Sequence, residues 1–351
     1  MGRKKGAVLI LVLWALGFLA VFAVYLGWGI RSRLDFLGRI ETRNKLSDAA
    51  EAGIKQAIAE IGNFEATQSY IRLKDLGSND QESFHNVLIG EGFFDVGYCY
   101  KTDDFLPRGT ENEFQTMYGV CDVESKLNIN KAEDGELFFL INRTTGLKAL
   151  DADKLASCII DWKDTDDQVL PRGAEDKYYQ NLNVPYDCKN ASFEVLEELL
   201  LVKGMDEEIF NKIKPYLTVY GSGRVNINTA SRTVLLSLGL TENLVDKIVS
   251  FRCGEDNQIA TQDDQYFLSE SSIIGSLEKV FSLTPSEVAS LSNLVAAGKV
   301  STFSNIFLIE STGRIRHKKN YCKVECIFKK DLTEQAKKAG VILGCQKGYF
   351  N

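Results

Sequence analysis

Ala7-Val-Leu-Ile-Leu-Val-Leu-Trp-Ala-Leu-Gly-Phe-Leu-Ala-Val-Phe-Ala-Val-Tyr-Leu-Gly-Trp-Gly-Ile30 is a run of 24 residues without a charge, preceded by Arg3, Lys4 and Lys5. As a helix it extends roughly 36 Å, enough to cross a hydrocarbon core of about 30 Å with some tilt. Tyr25 and Trp28 lie near its far end, where aromatic side chains anchor at an interface. A cleaved secretory signal has a shorter apolar region, about 7–15 residues, followed by a small-residue site; neither is present. The three leading cations hold the N-terminus in the cytoplasm, although Arg31, Arg33 and Arg39 on the other side weaken that bias.

The run does not end in a turn. No proline occurs between Ile30 and Gly62, and Leu34, Leu37, Ala49, Ala50, Ile54, Ala57, Ile58 and Ile61 recur at helical spacing among charged residues. One long helix is predicted, apolar all round in its first half and amphipathic in its second, with a globular head packed on the distal part. At 351 residues, 44% hydrophobic and 25% charged, the chain has material for about two domains with real cores. Only His85 and His317 are histidines, which disfavours histidine-dependent catalysis and multi-histidine metal sites.

Alternating aromatic and β-branched residues mark strands at Phe93–Tyr100, Met117–Val123, Phe303–Ser311 and Asn320–Phe328. The first two flank a polar stretch with Pro107 and Gly109, and the last two are separated by Gly313–Lys319, so two antiparallel hairpins are expected. Residues 131–300 between them are helical by pattern. The fold class is therefore α+β, with a large all-α domain inserted into a sheet built from both ends of the chain. The expected divisions are 1–6, 7–30, 31–130, 131–300 and 301–351, with few strand signals from Asp331 onward.

Charge follows the same divisions. Residues 1–130 carry a net −3, residues 131–300 a net −10 and residues 301–351 a net +6, for −7 overall. Within the acidic block, a 35-residue shift lays Gly204-Met-Asp-Glu207 on Gly239-Leu-Thr-Glu242 and Lys212 on Lys247. Each copy reads as helix, glycine turn, helix. Gly204 and Gly239 suit the left-handed position, Asp206 and Thr241 the N-cap that follows, and Thr284-Pro285-Ser-Glu287 starts a further capped helix. Helix-hairpin-helix repeats of this kind often bind DNA, and Val225-Asn-Ile-Asn-Thr-Ala230 is similar to the start of that motif in competence DNA receptors. The carboxylates beside both turns, in a −10 block, oppose phosphate binding; nucleic acid is not an expected partner.

Eight cysteines (Cys99, Cys121, Cys158, Cys188, Cys253, Cys322, Cys326, Cys345) with no C-x-x-C pair fit an oxidising, exported domain better than a zinc site. Cys322 and Cys326 would stand about 13 Å apart along one strand, too far to join each other. The connectivity is not fixed by sequence, and buried free thiols are the alternative.

The densest polar constellation is Asp161-Trp-Lys-Asp164-Thr-Asp166-Asp167, followed by Gly173-Ala-Glu175-Asp176. Clustered carboxylates repel unless solvated or neutralised by a hard cation, and Ca²⁺ takes six to eight oxygens from such loops. Asp164, Asp166 and Glu175 match positions 1, 3 and 12 of an EF-hand, but Val169 occupies the place of its glycine, which refuses that motif. A solvated acidic loop and a catalytic carboxylate pair are the competing readings. No nucleophile motif, phosphate loop or histidine accompanies the pair, so no enzyme activity is expected.

Together these residues resemble the general secretion pathway protein K (GspK) family, the large minor pseudopilins of type II secretion. The resemblance is carried by the basic leader with Gly6 before Ala7-Val-Leu-Ile-Leu11, Lys126-Leu-Asn-Ile-Asn130, Asp161-Trp-Lys-Asp-Thr-Asp166, Gly173-Ala-Glu-Asp-Lys-Tyr-Tyr179, Pro185-Tyr186 with Asn190-Ala191, Glu198-Leu-Leu-Leu-Val-Lys-Gly204, Val225–Ala230 and Thr312-Gly-Arg314, in order along most of the chain. It implies a pilin core with an inserted α-domain, and cleavage after Gly6 by prepilin peptidase to leave an N-methylated Ala7. It implies a tip position, because Leu11 stands where most pseudopilins carry a glutamate that neutralises a neighbour's terminal amine. It implies calcium in the inserted domain, for which Asp164, Asp166, Glu175 and Asp176 are the candidate ligands, with Asp161 and Asn190 in addition. The implied partners are the other minor pseudopilins, the major pseudopilin, prepilin peptidase and the inner-membrane assembly platform, with the secretin and cargo beyond; the implied location is the inner membrane, single-pass, head in the periplasm. The runner-up functions are a membrane-anchored DNA receptor and an exported hydrolase.

Overall fold

The computed structural model describes residues 4–63, 73–78, 83–107, 113–331 and 340–350. Its spine is a helix, Lys4–Gly62, of 59 residues, roughly 89 Å long. The apolar half is exposed, from Val8 at 62% to Trp28 at 77%. A buried stripe begins only at Leu46 and continues through Ala50, Ile54, Ala57 and Ile61, the i, i+3, i+4 spacing of one helix face. Leu34 and Leu37, expected to belong to that stripe, are 61% and 58% exposed, so the helix emerges from the head about three turns beyond Ile30, where Lys318 meets Thr42.

The head's sheet is antiparallel. Gly92–Lys101 pairs with Phe114–Gly119, and Ile306–Ile315 pairs with Tyr321–Lys330, giving both expected hairpins. The hairpins meet along Val96↔Ser311 and Phe94↔Gly313, so the sheet's centre is closed by segments from opposite ends of the chain. Its apolar face, including Phe94, Val96, Phe307, Ile309 and Val324, packs on the helix stripe. Contact is close because Gly313 lies against the helix backbone, where a Cβ would come within 2.5 Å of the Ala50 amide nitrogen.

Two expectations change in detail. The strand anticipated at Met117–Val123 divides at Val120: Phe114–Gly119 stays with its hairpin, while Cys121–Asp122 pairs with Phe307 and Leu308. The tail from Asp331, poor in strand signals, nevertheless supplies the 11-residue outer strand Gly340–Phe350 on Tyr321–Lys330, joined by a Cys326–Cys345 disulfide. Cys99, Cys121, Cys158, Cys188, Cys253 and Cys322 are free thiols, and Cys253, buried, donates to the Phe105 carbonyl.

A second core lies in the inserted region. Helices Asp134–Thr145, Ala149–Lys163, Glu207–Ile213, Arg232–Ser237, Glu242–Arg252 and Pro285–Ala296 surround it, and it is filled by residues such as Leu137, Ile159, Phe210, Leu235 and Ile248. Two short parallel ladders, Leu127–Asn128 with Leu217–Thr218 and Val225–Asn226 with Val300–Ser301, tie its ends together. In the repeat, Gly204 and Gly239 both take φ +85°, a conformation costly for any residue with a Cβ. The next helices are capped by Asp206, accepting from Ile209 N–H, and Thr241, accepting from Leu244 N–H.

Val225–Ala230 turns out to be a buried joint. Asn226 Nδ2 and Thr229 Oγ1 donate to the Asp122 carboxylate at 2.8 and 2.6 Å, Asn228 Nδ2 donates to the Phe267 carbonyl at 3.0 Å, and Arg252 Nη1 donates to the Ile227 and Ala230 carbonyls. Burial raises the Asp122 carboxyl to about 6 despite these donors. The motif thus fastens the inserted domain to the strand Cys121–Asp122.

Candidate metal centre

The acidic constellation folds into a pocket of oxygens at the end of the helix Ala149–Lys163. Apolar residues on one face of that helix (Ala152, Leu155, Ala156, Ile159) set its rotation and place Asp161 in the last turn, where it is fully buried. Asp164 is the C-cap residue, its N–H donating to the Ile160 carbonyl at 3.0 Å. Lys163 points the other way and donates to the Ile129 and Ala132 carbonyls at 2.7 and 2.6 Å, anchoring the helix end on Lys126–Asn130; burial pushes its amine down to about 8.

The loop then doubles back. Leu170 N–H donates to the Asp161 carboxylate at 3.3 Å, and Gly173 passes so close that a Cβ there would lie 2.6 Å from Asp161 Cγ. This delivers Glu175, the N-cap residue of the short helix Asp176–Tyr179, into the pocket. One carboxylate oxygen from each of Asp161, Asp164 and Glu175 falls within 4.8 Å of the others.

What marks the site is its unmet hydrogen bonding. Glu175 is 3% exposed, yet neither of its oxygens has a hydrogen-bond partner. The same holds for Asp164 Oδ1 and Asn190 Oδ1. Buried oxygens of this kind are costly unless something supplies positive charge. Burial, followed by the mutual repulsion of the carboxylates, raises Glu175 to about 7 and Asp161 to about 6, and raises Asp164 as well. The three carboxylates form an all-oxygen, hard donor set, and ligands around Ca²⁺ at 2.3–2.6 Å span separations of this size. The residues present fit such an ion.

Of the six sequence candidates, Asp161, Asp164 and Glu175 bring oxygens to this pocket, and Asn190 contributes a buried Oδ1 that has no hydrogen-bond partner. Asp166 and Asp176 face other donors. Asp166 accepts from the Gln168 N–H at 2.8 Å and braces the loop, while Asp176 accepts from the Cys188 N–H at 2.7 Å and anchors the segment leading to Asn190. Asp167, absent from the candidate set, accepts from Asn190 Nδ2 at 2.8 Å and so orients that amide. Asn190 itself sits at φ +47°, which asparagine tolerates better than most residues. No spacing rule links positions 23 residues apart, so only the fold shows the pair.

Neither histidine accompanies the carboxylates: His85 stacks on Tyr118 at 3.9 Å in the sheet, and His317 lies in the turn after Ile315. The repeat's lysines are engaged as well, Lys212 with Glu208 at 2.7 Å and Lys247 with Glu287 at 2.9 Å. Gly6 and Ala7 lie within the first two turns of the spine helix, and Leu11 is 71% exposed on its apolar half.

Residues 125–222 match the family model described as type II secretion system (T2SS), protein K. The chain is 24% identical to the type II secretion system protein K of Aeromonas hydrophila over 65% of its own length and 67% of that protein's. With the protein of the same description from Pectobacterium carotovorum subsp. carotovorum it shares 26% identity over 41% of its length, spanning 46% of that relative. A chain in the crystal structure of the GspK-GspI-GspJ complex from the enterotoxigenic Escherichia coli type 2 secretion system superposes with a TM-score of 0.61 at 16% identity, covering 88% of this chain and 99% of that one. The segment that holds the candidate metal centre is thus similar to type II secretion system protein K, and the fold over most of the chain is similar to that of a chain in the GspK-GspI-GspJ complex.

Proposed function

We propose that the chain is a minor pseudopilin that caps the tip of the type II secretion pseudopilus and helps initiate its assembly. The carrying observation is the spine helix: an uncharged half long enough to span a bilayer, about three further turns before the head first touches it at Thr42, and then a pilin-like sheet packed on it. A helix so exposed has apolar surface for neighbouring helices in a bundle, which supports lateral contact with other pseudopilins. Leu11 leaves the first turns without a carboxylate to pair with a neighbour's terminal amine, so the chain is suited to have nothing stacked above it. The inserted domain adds bulk on the head, consistent with the same end position. The anchor is single-pass, with the head in the periplasm; the secretin and cargo are the contacts expected from a tip, and no catalytic role is assigned.

Ca²⁺ is the cation we assign to the carboxylate pocket. Asp161, Asp164, Glu175 and Asn190 would hold it through oxygen, with Asp167 orienting Asn190 and Asp176 anchoring the approach. When bound, the ion supplies the positive charge that these buried oxygens lack and joins the helix end to the loop segments around 175 and 190. A DNA receptor is disfavoured because Lys212 and Lys247 are paired with glutamates and the motif Val225–Ala230 is buried.

Mass spectrometry of the mature N-terminus tests the central reading: a chain beginning at methylated Ala7 supports pseudopilin processing, and an intact Met1 in cells with active prepilin peptidase overturns it. Titrating chelated protein with Ca²⁺ should raise its melting temperature; no change would remove the metal assignment and leave the pseudopilin reading standing.

A further inference from the structure

We propose that the underside of the head, the turn Arg314–Asn320 together with the arginines of the emerging spine, docks on the anionic phosphodiester headgroups of the bilayer that the helix crosses. The proposal rests on the reading of Ala7–Ile30 as membrane-spanning.

The net +6 of residues 301–351 has no part in the pseudopilin argument, and the fold concentrates much of it in one place. Arg314, Arg316, Lys318 and Lys319 fall in or beside a single hairpin turn, and no carboxylate interrupts residues 311–321. Arg314 is spent on Asp95 at 2.9 Å, but Arg316 and Lys319 are exposed. Lys318 donates to Thr42 Oγ1 at 2.6 Å, which fixes the turn against the spine at the head's membrane-facing end. Thr42 lies twelve residues past Ile30, roughly 18 Å along the helix. Arg31, Arg39 and Arg43 continue the positive charge down the spine, where Arg39 and Arg43 line one shallow surface with Lys318 of the head. Of the nearby acids, Asp35 shares that surface, and Glu41 and Glu91 are both held by Lys45, at 2.8 and 2.7 Å.

The headgroup layer occupies about 5–8 Å beyond the hydrocarbon edge. A helix tilt of about 20–40° lowers one side of the head further, and the field of an anionic surface reaches about 8 Å into physiological salt. Arg31 therefore stands at the headgroups, Arg39, roughly 14 Å past Ile30, lies within the reach of their field, and Arg316 and Lys319 come within reach as the helix tilts. An acidic protein could meet the same charges, but the bilayer is already tethered to every copy and the cations run continuously from it to the head. Docking of this kind would tilt the head onto the membrane before the subunit is taken into a pilus.

The full chain, reconstituted in nanodiscs of phosphatidylcholine alone or with about 30% phosphatidylglycerol, tests this by lysine-acetylation footprinting. Lys318 and Lys319 should react about threefold more slowly in the anionic discs, with the difference lost near 1 M salt. Arg316→Gln/Lys319→Gln, which alters only exposed side chains, should abolish the difference at Lys318 without moving the melting temperature. Equal rates in both lipids, protection independent of lipid charge, or protection appearing only when another pseudopilin is added would each overturn the proposal. Failure of the chain to enter discs at all would instead overturn the membrane-spanning reading.

Discussion

Replacing Glu175 with glutamine should stabilise the protein without calcium and weaken it with calcium. Burial lifts the Glu175 carboxyl to about 7 from an ordinary 4.5. A folded value above the unfolded one means that the wild-type fold loses stability as pH rises from about 4.5 to 7 and stays at the lower level above that. At about 1.4 kcal/mol per unit, the loss at pH 8 is on the order of 3 kcal/mol for this group alone. Glutamine cannot ionise and escapes that loss, though its buried amide brings polar groups of its own, so a gain of about 1–3 kcal/mol is expected in chelator. Calcium reverses the order. At about a hundred times its dissociation constant it adds roughly 2.7 kcal/mol to the wild type, whereas the variant has one fewer negative ligand and gains less. Calorimetry of both proteins at pH 8, in chelator and in calcium, should show melting temperatures that cross, with shifts of about 2–4 °C per kcal/mol for a unit of this size. A variant less stable than wild type in chelator, yet equally stabilised by calcium, would refute both the charge argument and the ligand assignment.

The other predictions concern geometry. Gly173→Ala should push the Asp161 carboxylate aside and weaken calcium binding by about tenfold or more in titration calorimetry, while melting in chelator stays near wild type. Gly313→Ala should lift the sheet from the spine helix at Ala50 and cost about 1–3 kcal/mol in urea unfolding. Cys345→Ser removes a cross-link between residues 19 apart and should cost on the order of 3 kcal/mol, with proteolysis entering first at the outer strand Gly340–Phe350. At physiological salt the head should show no retention on duplex DNA; retention lost on changing Lys212 and Lys247 to glutamine would revive the receptor reading.

The parts of the fold that were legible are those whose burial leaves a period in the sequence. The spine's stripe from Ala49 to Ile61 and the alternation in Gly92–Lys101 and Tyr321–Lys330 have one face buried and one wet, so composition repeats at 3.6 or 2 residues. Gly340–Phe350 has no such contrast: most of its residues are exposed on both faces, and Gly340, Gly344 and Gly348 depress its strand propensity. Its conformation comes from the partner strand and the Cys326–Cys345 link, neither of which a local window contains. Leu34 and Leu37 mislead for the opposite reason, since a helical apolar stripe reports that a surface seeks cover and does not say whether the cover lies in the same chain.

The metal centre divides along a similar line. The run from Asp161 to Asp167 announces a charge problem, but the sequence ranks Asp164 and Asp166 ahead of Asp161. The helix decides otherwise. Asp161 lies one turn beyond Ser157 and Cys158, on the side of Ala149–Lys163 opposite Ala152, Leu155, Ala156 and Ile159, and is buried there by the loop that returns through Leu170 and Gly173, while Asp166 lies past the helix end and accepts from the Gln168 amide of its own turn. Glu175 enters only because Gly173 lets the loop close on Asp161, and Asn190 only because Asp176 anchors the amide of Cys188 and Asp167 turns the Asn190 side chain. A pocket assembled from three separated segments, each placed by a residue that is not itself a ligand, leaves little spacing signal. It leaves a thermodynamic one instead: buried oxygens without a hydrogen-bond partner, a cost that a bound proton or cation would relieve.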